Sequence, residues 1–263
     1  QLFQAGNHPD LTMLEPEEAG KQIRITQIRE LIDYVALKSF TGKSKIAIIE
    51  PADAMNRATA NALLKTLEEP PEQSMLLLLS SRPSSLPITI RSRCQRIDIK
   101  PAYGEDAVNW LQQQLPDSNV NKELLLRLSH GGPIKALELV ETDQLSQRQQ
   151  ILGDLKQLAR RPFDVVQIAA GWQEFGCENA LLWLLRLIQD LIRLKLLQDK
   201  AQLLNLDIKE DLQDLVKTLD LQTLVKNYDF IQSKYQESTG PMNYNPLSIL
   251  EAVIVNWAEP ETV

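Results

Sequence analysis

The stretch from residue 45 to residue 79 constrains the fold most, because it reads as a strand, a helix and a second strand in close succession. Residues 45–50 form a short apolar run that is typical of a buried strand. Asn56 can cap a helix over residues 56–69, and the two prolines that follow end it because proline has no backbone N–H to donate. Residues 75–79 are again short and apolar, which predicts a second, fully buried strand. This order of elements predicts a parallel sheet.

The segments on either side of this stretch extend the same layer. Residues 26–39 carry apolar side chains at helical spacing behind Thr26, which we expect to be the N-cap of an amphipathic helix. Residues 96–100, with the sequence RIDIK, alternate between polar and apolar and so favour a strand at the edge of the sheet. Residues 1–101 are therefore predicted to be part of an α/β domain.

Beyond residue 101 the strand signals stop and helical periodicity takes over. Three short helices predict a small helical domain over residues 102–143, and longer helices predict a larger one over residues 144–263. The fold class is thus α/β followed by all-α. In the last helix we expect the stripe of Leu247, Leu250, Val253 or Ile254, and Trp257 to be buried. The predicted helices cover residues 104–115, 121–129, 133–140, 144–160, 162–170, 178–198, 208–218, 220–237 and 246–258.

Composition limits the possible partners and the cellular compartment. The 263 residues carry a net charge of -7, so any contact with nucleic acid has to come from a local basic patch. Cys94 and Cys177 lie far apart without zinc-ligand spacing, which fits a reducing cytoplasm. The most apolar segment, residues 180–197, contains charged side chains, so we expect no membrane span. The chain starts at Gln1 rather than Met, and we expect it to be a fragment or a processed piece of a longer protein.

Several polar motifs are compatible with chemistry but have simpler interpretations. The sequence TGKS at residues 41–44 lacks the upstream glycine of a phosphate loop and precedes a strand, so we expect no phosphate binding there. The adjacent Glu68 and Glu69 point about 100° apart on a helix, which favours a solvated helix end over paired acid–base catalysis. His130 follows a predicted helix and is more consistent with a helix-end residue than with a catalytic one.

The segment LPITIRSRCQRIDI, residues 86–99, contains three arginines in a short space. Arg91, Arg93 and Arg96 surround Ser92 and Cys94, and composition alone predicts a polar surface turn. Together with NALLKTLEEPPE upstream, however, this segment resembles the AAA+ domain of the clamp-loader subunits of bacterial DNA polymerase III.

The resemblance is strongest over residues 44–101 and weaker over residues 131–139 and 243–257. It implies that residues 1–101 are a partial AAA+ domain, residues 102–143 the small helical lid and residues 144–263 the C-terminal collar. In this family the Ser-Arg-Cys motif carries an arginine finger. The resemblance therefore implies that Arg93, between Ser92 and Cys94, acts catalytically in trans on the ATP of a neighbouring subunit.

Two departures from the family pattern indicate which kind of subunit this is. Its ATPase subunits end the central strand in Asp-Glu, whereas this chain has Glu50 and Pro51, and proline can neither hold Mg²⁺ nor polarise water. An arginine of the lid helix is replaced by Ile134, and Lys135 lies about 100° around that helix. The resemblance thus implies a subunit that does not hydrolyse ATP.

The expected function is assembly with the gamma/tau and delta subunits to help load the sliding clamp on primed DNA, as an accessory part of a nucleotidyltransferase complex in the cytoplasm. We expect no cofactor and no catalysis in this chain alone, with ATP and Mg²⁺ in the neighbouring subunit and zinc only in a region upstream of residue 1. Two alternatives stay open at this point: an active gamma/tau-like ATPase whose phosphate loop lies upstream, and a helical scaffold unrelated to replication.

Overall fold

The computed structural model of the chain describes residues 8–18, 21–158, 163–240 and 244–258. The chain divides into two compact units, residues 1–99 and residues 100–263. The first unit contains a small parallel sheet with helices, and the second contains helices, so an α/β fold followed by an all-α fold is confirmed. The further boundary near residue 143 stays a prediction.

In its described residues, the α/β unit is built around a three-stranded parallel sheet in the order β1-β2-β3. Leu14 of β1 pairs with Ile49 of β2, and Ile49 pairs with Leu78 of β3, so the three strands end at the same edge. The elements of this unit are β1 (Leu11–Leu14), α1 (Ile25–Ala36), β2 (Lys45–Ile49), α2 (Arg57–Glu68), β3 (Ser74–Leu78) and the single turn α3 (Ile88–Arg91). The predicted order of strand, helix and parallel strand is confirmed for β2, α2 and β3, whereas β1 and α3 lack a sequence pattern long enough to predict them.

Among the described residues, one face of this sheet is more deeply buried than the other. Ala47 and Ile49 of β2 are fully buried in a core that also contains Ile28 of α1 and Leu63 of α2. On the other side of β3, Met75 is 51% exposed. The expectation of a fully buried strand there was therefore wrong. A short apolar run indicates a strand, but it does not reveal that the strand lies at the edge of the sheet.

The predicted edge strand over residues 96–100 was also wrong, since that segment has no regular structure. Ile97 and Ile99 are 77% and 87% exposed, and Arg96 forms a local ion pair with Asp98. Alternation identifies the residues that could share one face of a strand, but a strand also needs a neighbour to pair with.

Of the two N-caps predicted in the α/β unit, one is confirmed and the other was wrong. The Asn56 cap is confirmed, because its side-chain oxygen accepts hydrogen bonds from the backbone N–H groups of Ala58 and Thr59 at 2.9 and 3.0 Å. Thr26 does not cap α1. The helix begins one residue earlier, and the side-chain oxygen of Gln27 accepts the free backbone N–H of Arg24 at 2.9 Å.

The helical unit has one continuous hydrophobic core, which includes the fully buried Trp172 and nearly all of Trp183. The predicted helices are confirmed to within a few residues at their ends, and residues 159–162 lie outside the described part of the chain. In the last helix Leu250, Val253, Ile254 and Trp257 are buried, as expected, whereas Leu247 is only half-buried against the core. The helices are α4 (Glu105–Gln114), α5 (Lys122–Leu128), α6 (Pro133–Glu141), α7 (Gln144–Leu158), α8 (Val165–Glu174), α9 (Cys177–Leu197), α10 (Lys209–Lys217), α11 (Leu221–Ser238) and α12 (Pro246–Ala258).

A buried polar network fixes the segment between α9 and α10. Asp190 is fully buried and accepts hydrogen bonds from the backbone N–H groups of Leu204 and Asn205 at 3.0 and 2.8 Å. It also accepts the Asn205 side-chain amide at 2.9 Å and Arg193 Nη1 at 3.0 Å. Four donors satisfy the accepting capacity of one carboxylate, so this network holds the segment firmly against α9. In the described part of the chain, no helix has both the length and the apolar character needed to cross a membrane.

Candidate functional site

Arg93 lies directly after α3, close to the end of α2. The short helix α3 is anchored by Ile90, which is almost completely buried in the core of the α/β unit. Arg93 Nε donates a hydrogen bond to Glu68 Oε1 at 2.8 Å, and Nη2 contacts the same oxygen. Its Nη1 donates to the backbone carbonyl of Thr89 at 3.0 Å. The guanidinium is therefore held in one orientation while its side chain stays 32% exposed.

Glu68 and Glu69 are both exposed at the end of α2, as expected, and the ion pair with Arg93 gives Glu68 a further role. Glu68 does more than face solvent at a helix end, because it binds an arginine 25 residues further along the chain. Sequence spacing could not show this contact, since it depends on where α3 packs beside α2.

The neighbours of Arg93 in the motif have structural contacts of their own. The Ser92 hydroxyl donates to the Thr89 carbonyl at 3.2 Å, so two side chains fasten the turn that follows α3. Cys94 is half-buried against the hydrophobic core, and burial raises the pKa of its thiol. A neutral, half-buried thiol is suited to packing rather than to nucleophilic chemistry.

The three arginines of this segment differ in their surroundings. Arg96 forms its ion pair with Asp98 at 2.7 Å, two residues away. Arg91 is exposed and makes no side-chain hydrogen bond or ion pair with any residue that the structure describes. Of the three, only Arg93 is both oriented by other elements and open to solvent.

Glu50 and Pro51 follow β2 at the edge where the three parallel strands end. The Glu50 backbone N–H donates to the Leu14 carbonyl at 3.0 Å, and the Glu50 side chain is exposed. The Glu50–Pro51 peptide bond is cis. Pro51 offers no side-chain donor or acceptor, so the position after Glu50 can supply neither a ligand for Mg²⁺ nor a base for water activation.

A different carboxylate at the same edge, Asp53, was not singled out from the sequence. Asp53 is 4% exposed and accepts Ser80 Oγ at 2.6 Å and Arg82 Nη2 at 2.9 Å. Burial raises the pKa of this carboxyl, but the hydrogen bonds from Ser80 and Arg82 outweigh it and leave the pKa below its ordinary value. Asp53 thus ties the turn after β2 to the residues after β3. The SSRPSS sequence after β3 is the one signal that could have indicated a partner for it.

The TGKS segment is a structural loop. Asp10 accepts the backbone N–H of Phe40 at 2.7 Å, the backbone N–H of Thr41 at 2.8 Å and the hydroxyls of Ser39 and Thr41. Burial raises the pKa of the Asp10 carboxyl, but these four hydrogen bonds outweigh it and lower the pKa. Both the backbone N–H and the hydroxyl of Thr41, the first residue of TGKS, are therefore already occupied by a carboxylate.

Ile134 is the second residue of α6 in the helical unit and is 70% exposed. Lys135, the next residue, is also exposed. An apolar side chain at this position can make no hydrogen bond to a nucleotide. No group of three or more His, Cys, Asp or Glu side chains that could hold a metal ion occurs among the described residues.

Comparisons with known proteins identify the class of protein to which the chain belongs. The family described as "DNA polymerase III, delta subunit" matches residues 1–103, and its C-terminal counterpart matches residues 142–259. The chain is 34% identical to DNA polymerase III subunit delta' of Pseudomonas aeruginosa over 98% of its own length and 79% of that relative. The chain spans about 58% of several other delta-prime relatives.

Two further comparisons concern other subunits of the same polymerase. DNA polymerase III subunit tau of Escherichia coli is 35% identical, but over only 48% of this chain and 20% of its own length. The crystal structure of a DNA polymerase III gamma subunit-related protein from Thermotoga maritima aligns with a TM-score of 0.47 and 19% identity, covering 95% of this chain and 83% of that one. The identity to the Pseudomonas relative along nearly the whole chain decides between them, and the chain belongs to the family of DNA polymerase III delta-prime subunits.

Proposed function

We propose that this chain is the subunit of a clamp loader that does not hydrolyse ATP, and that Arg93 completes the ATP site of a neighbouring subunit. The oriented yet exposed guanidinium of Arg93 carries this proposal. An arginine finger needs a planar, permanently charged group that can reach a transferring phosphoryl group from another chain.

The contact with Glu68 is compatible with this role because it is weak. Both partners are partly exposed, at 32% and 48% of their side chains, and ion pairs of this kind contribute about 0 to 1 kcal/mol. A finger is worth about 10³ to 10⁵ in rate, or about 4 to 7 kcal/mol in the transition state. Exchanging Glu68 for phosphate oxygens is therefore favourable, and until then Glu68 keeps the guanidinium in place.

The absence of hydrolytic groups at Glu50, Pro51 and Ile134 supports the proposal that a neighbouring subunit hydrolyses the ATP. Glu50 and Pro51 cannot supply the pair of acids that hold Mg²⁺ and polarise water, and the Ile134 side chain can make no hydrogen bond to a nucleotide. Mg²⁺ and ATP then belong to a gamma/tau subunit. The partners are the gamma/tau and delta subunits, with the sliding clamp and primed DNA engaged by the assembled complex in the cytoplasm. The match to tau over less than half of the chain disfavours the active ATPase alternative.

The test compares Arg93→Ala and Arg93→Lys with Arg91→Ala in full-length protein assembled with its partners. We expect Arg93→Ala to assemble normally but to lower clamp loading and the share of ATP turnover that belongs to one site. Arg93→Lys should recover only part of the activity, because an ammonium group cannot reproduce the planar fork. Equal effects of Arg93→Ala and Arg91→Ala would contradict the proposal and indicate that the arginines form a diffuse basic patch. Loss of assembly with Arg93→Ala would indicate that Arg93 has a structural role.

A further inference from the structure

A second candidate site lies in the helical unit, in a cleft of about 550 Å³. Its walls come from the end of α5, the C-terminal end of α9 and the segment that follows α9. The side chains that line it include Tyr103, Arg127, His130, Arg193, Leu197 and Lys200.

The charge of this cleft is opposite to that of the whole chain. Arg127, Arg193 and Lys200 line it, and none of its lining residues in the described part of the chain is acidic. The chain as a whole carries a net charge of -7. Three cations on one concave surface of an acidic protein raise the local concentration of anions there.

Of these three cations, Arg193 has a carboxylate partner, and Arg127 and Lys200 have none among the described residues. Asp190 accepts a hydrogen bond from Arg193 Nη1 at 3.0 Å and also accepts three hydrogen bonds from Leu204 and Asn205. Arg193 keeps 45% of its side chain exposed. Lys200 is exposed and forms no ion pair with a described residue. Arg127 and Lys200 are therefore available to a ligand, and Arg193 presents the exposed part of its side chain beside its ion pair.

Two further interactions shape the cleft. Arg127 Nη1 donates to the Leu203 carbonyl at 3.3 Å, which orients its guanidinium against the wall. Burial lowers the pKa of His130, and the positive charges of Arg186, Lys135 and Arg193 lower it further. Both causes favour the neutral form of the imidazole.

We propose that this cleft binds the phosphate groups of a single-stranded nucleic acid. Guanidinium and ammonium groups are the side chains that contact phosphates along a strand, and an adjacent aromatic ring supplies a surface on which a base can stack. Tyr103 is 57% exposed in the cleft wall. A volume of this size accommodates one or two nucleotides. The inference does not depend on Arg93 or on ATP.

The experiment uses the 263-residue chain alone and measures the fluorescence anisotropy of a labelled thymidine oligonucleotide at low salt. Arg127→Glu and Lys200→Glu should each raise Kd about tenfold. Each should also reduce the slope of log K against log salt by about 0.7 for every phosphate that the variant no longer neutralises. Lys226→Glu is the matched control, because Lys226 is exposed on α11 and does not line the cleft. It should change Kd less than twofold.

A second arm separates a nucleic-acid strand from free phosphate. Tyr103→Ala should weaken oligonucleotide binding but leave the binding of pyrophosphate, measured by calorimetry, unchanged. The proposal is overturned if the wild-type chain does not bind the oligonucleotide, if the control variant weakens binding as much as the cleft variants, or if pyrophosphate alone binds. Circular dichroism checks folding, and should Arg127→Glu unfold, Lys200→Glu decides because its side chain makes no hydrogen bond with a described residue. None of these outcomes bears on the Arg93 experiment, which needs the assembled complex.

Discussion

Glu68 Oε1 accepts a hydrogen bond from Arg93 Nε at 2.8 Å, which ties the last residue of α2 to the second residue after α3. Because both side chains are partly exposed, we expect Glu68→Ala to lower the free energy of unfolding by only about 0.2 to 1 kcal/mol. Urea denaturation of the single and double variants with Arg93→Ala measures the coupling. Glu69→Ala is the neighbouring control without that ion pair. A coupling energy above about 2 kcal/mol would contradict a weak, exchangeable pair.

The stability of the α/β unit should depend more on Leu63 than on Leu64, both of which lie on α2. Leu63 is completely buried in the core of the α/β unit, whereas Leu64 is half-buried. We expect Leu63→Ala to cost about 2 to 5 kcal/mol of unfolding free energy, and Leu64→Ala clearly less. Chemical denaturation of the two variants provides the comparison. Equal losses would show that the covered face of α2 is assigned to the wrong residues.

Asp190 should be essential for the stability of the helical unit. Asp190→Ala leaves buried donors of Leu204 and Asn205 without an acceptor, and we expect a loss of about 3 kcal/mol. Thermal unfolding followed by circular dichroism measures it. Asp214→Asn, which removes an exposed carboxylate paired with Lys217, should leave the unfolding curve unchanged. A tolerated Asp190→Ala would mean that water replaces the carboxylate in this network.

Cys177 should react slowly with thiol reagents at neutral pH. Burial, and then the negative charge of Glu178, raise its pKa from 9.0 to about 11. The folded protein holds the proton more tightly than the unfolded chain, so this group contributes stability below about pH 9 that is lost as pH rises toward 11. Alkylation rates between pH 7 and pH 11, with and without denaturant, test this. Fast alkylation of the folded protein at pH 7 would contradict it.

The helices could be predicted from the sequence where a local signal decides their limits. The side chain of Asn56 caps α2 through backbone groups two and three residues ahead, and α12 buries the stripe that its periodicity indicates. Residues 75–79 and 96–100 were misjudged because their state depends on what lies beside them. Apolar content and alternation describe a strand but not its neighbours.

The contacts within the candidate sites were even harder to predict from the sequence, because they depend on which segments pack together. The motif around Arg93 could be recognised, but its ion pair with Glu68 depends on the packing of two helices. The cleft could not be predicted at all, since Arg127, Arg193 and Lys200 come from separate segments with no shared motif. Their proximity is a product of the helical core.

The network around Asp190 also affects the binding entropy of a ligand in the neighbouring cleft. Hydrogen bonds to Asp190 already fix the backbone of Leu204 and Asn205 beside the cleft. Ordering a free backbone costs about 1 to 2 kcal/mol for each residue, and here that entropy was lost when the unit folded. A ligand that enters the cleft therefore meets a preorganised wall, and its binding entropy should contain little contribution from the protein backbone.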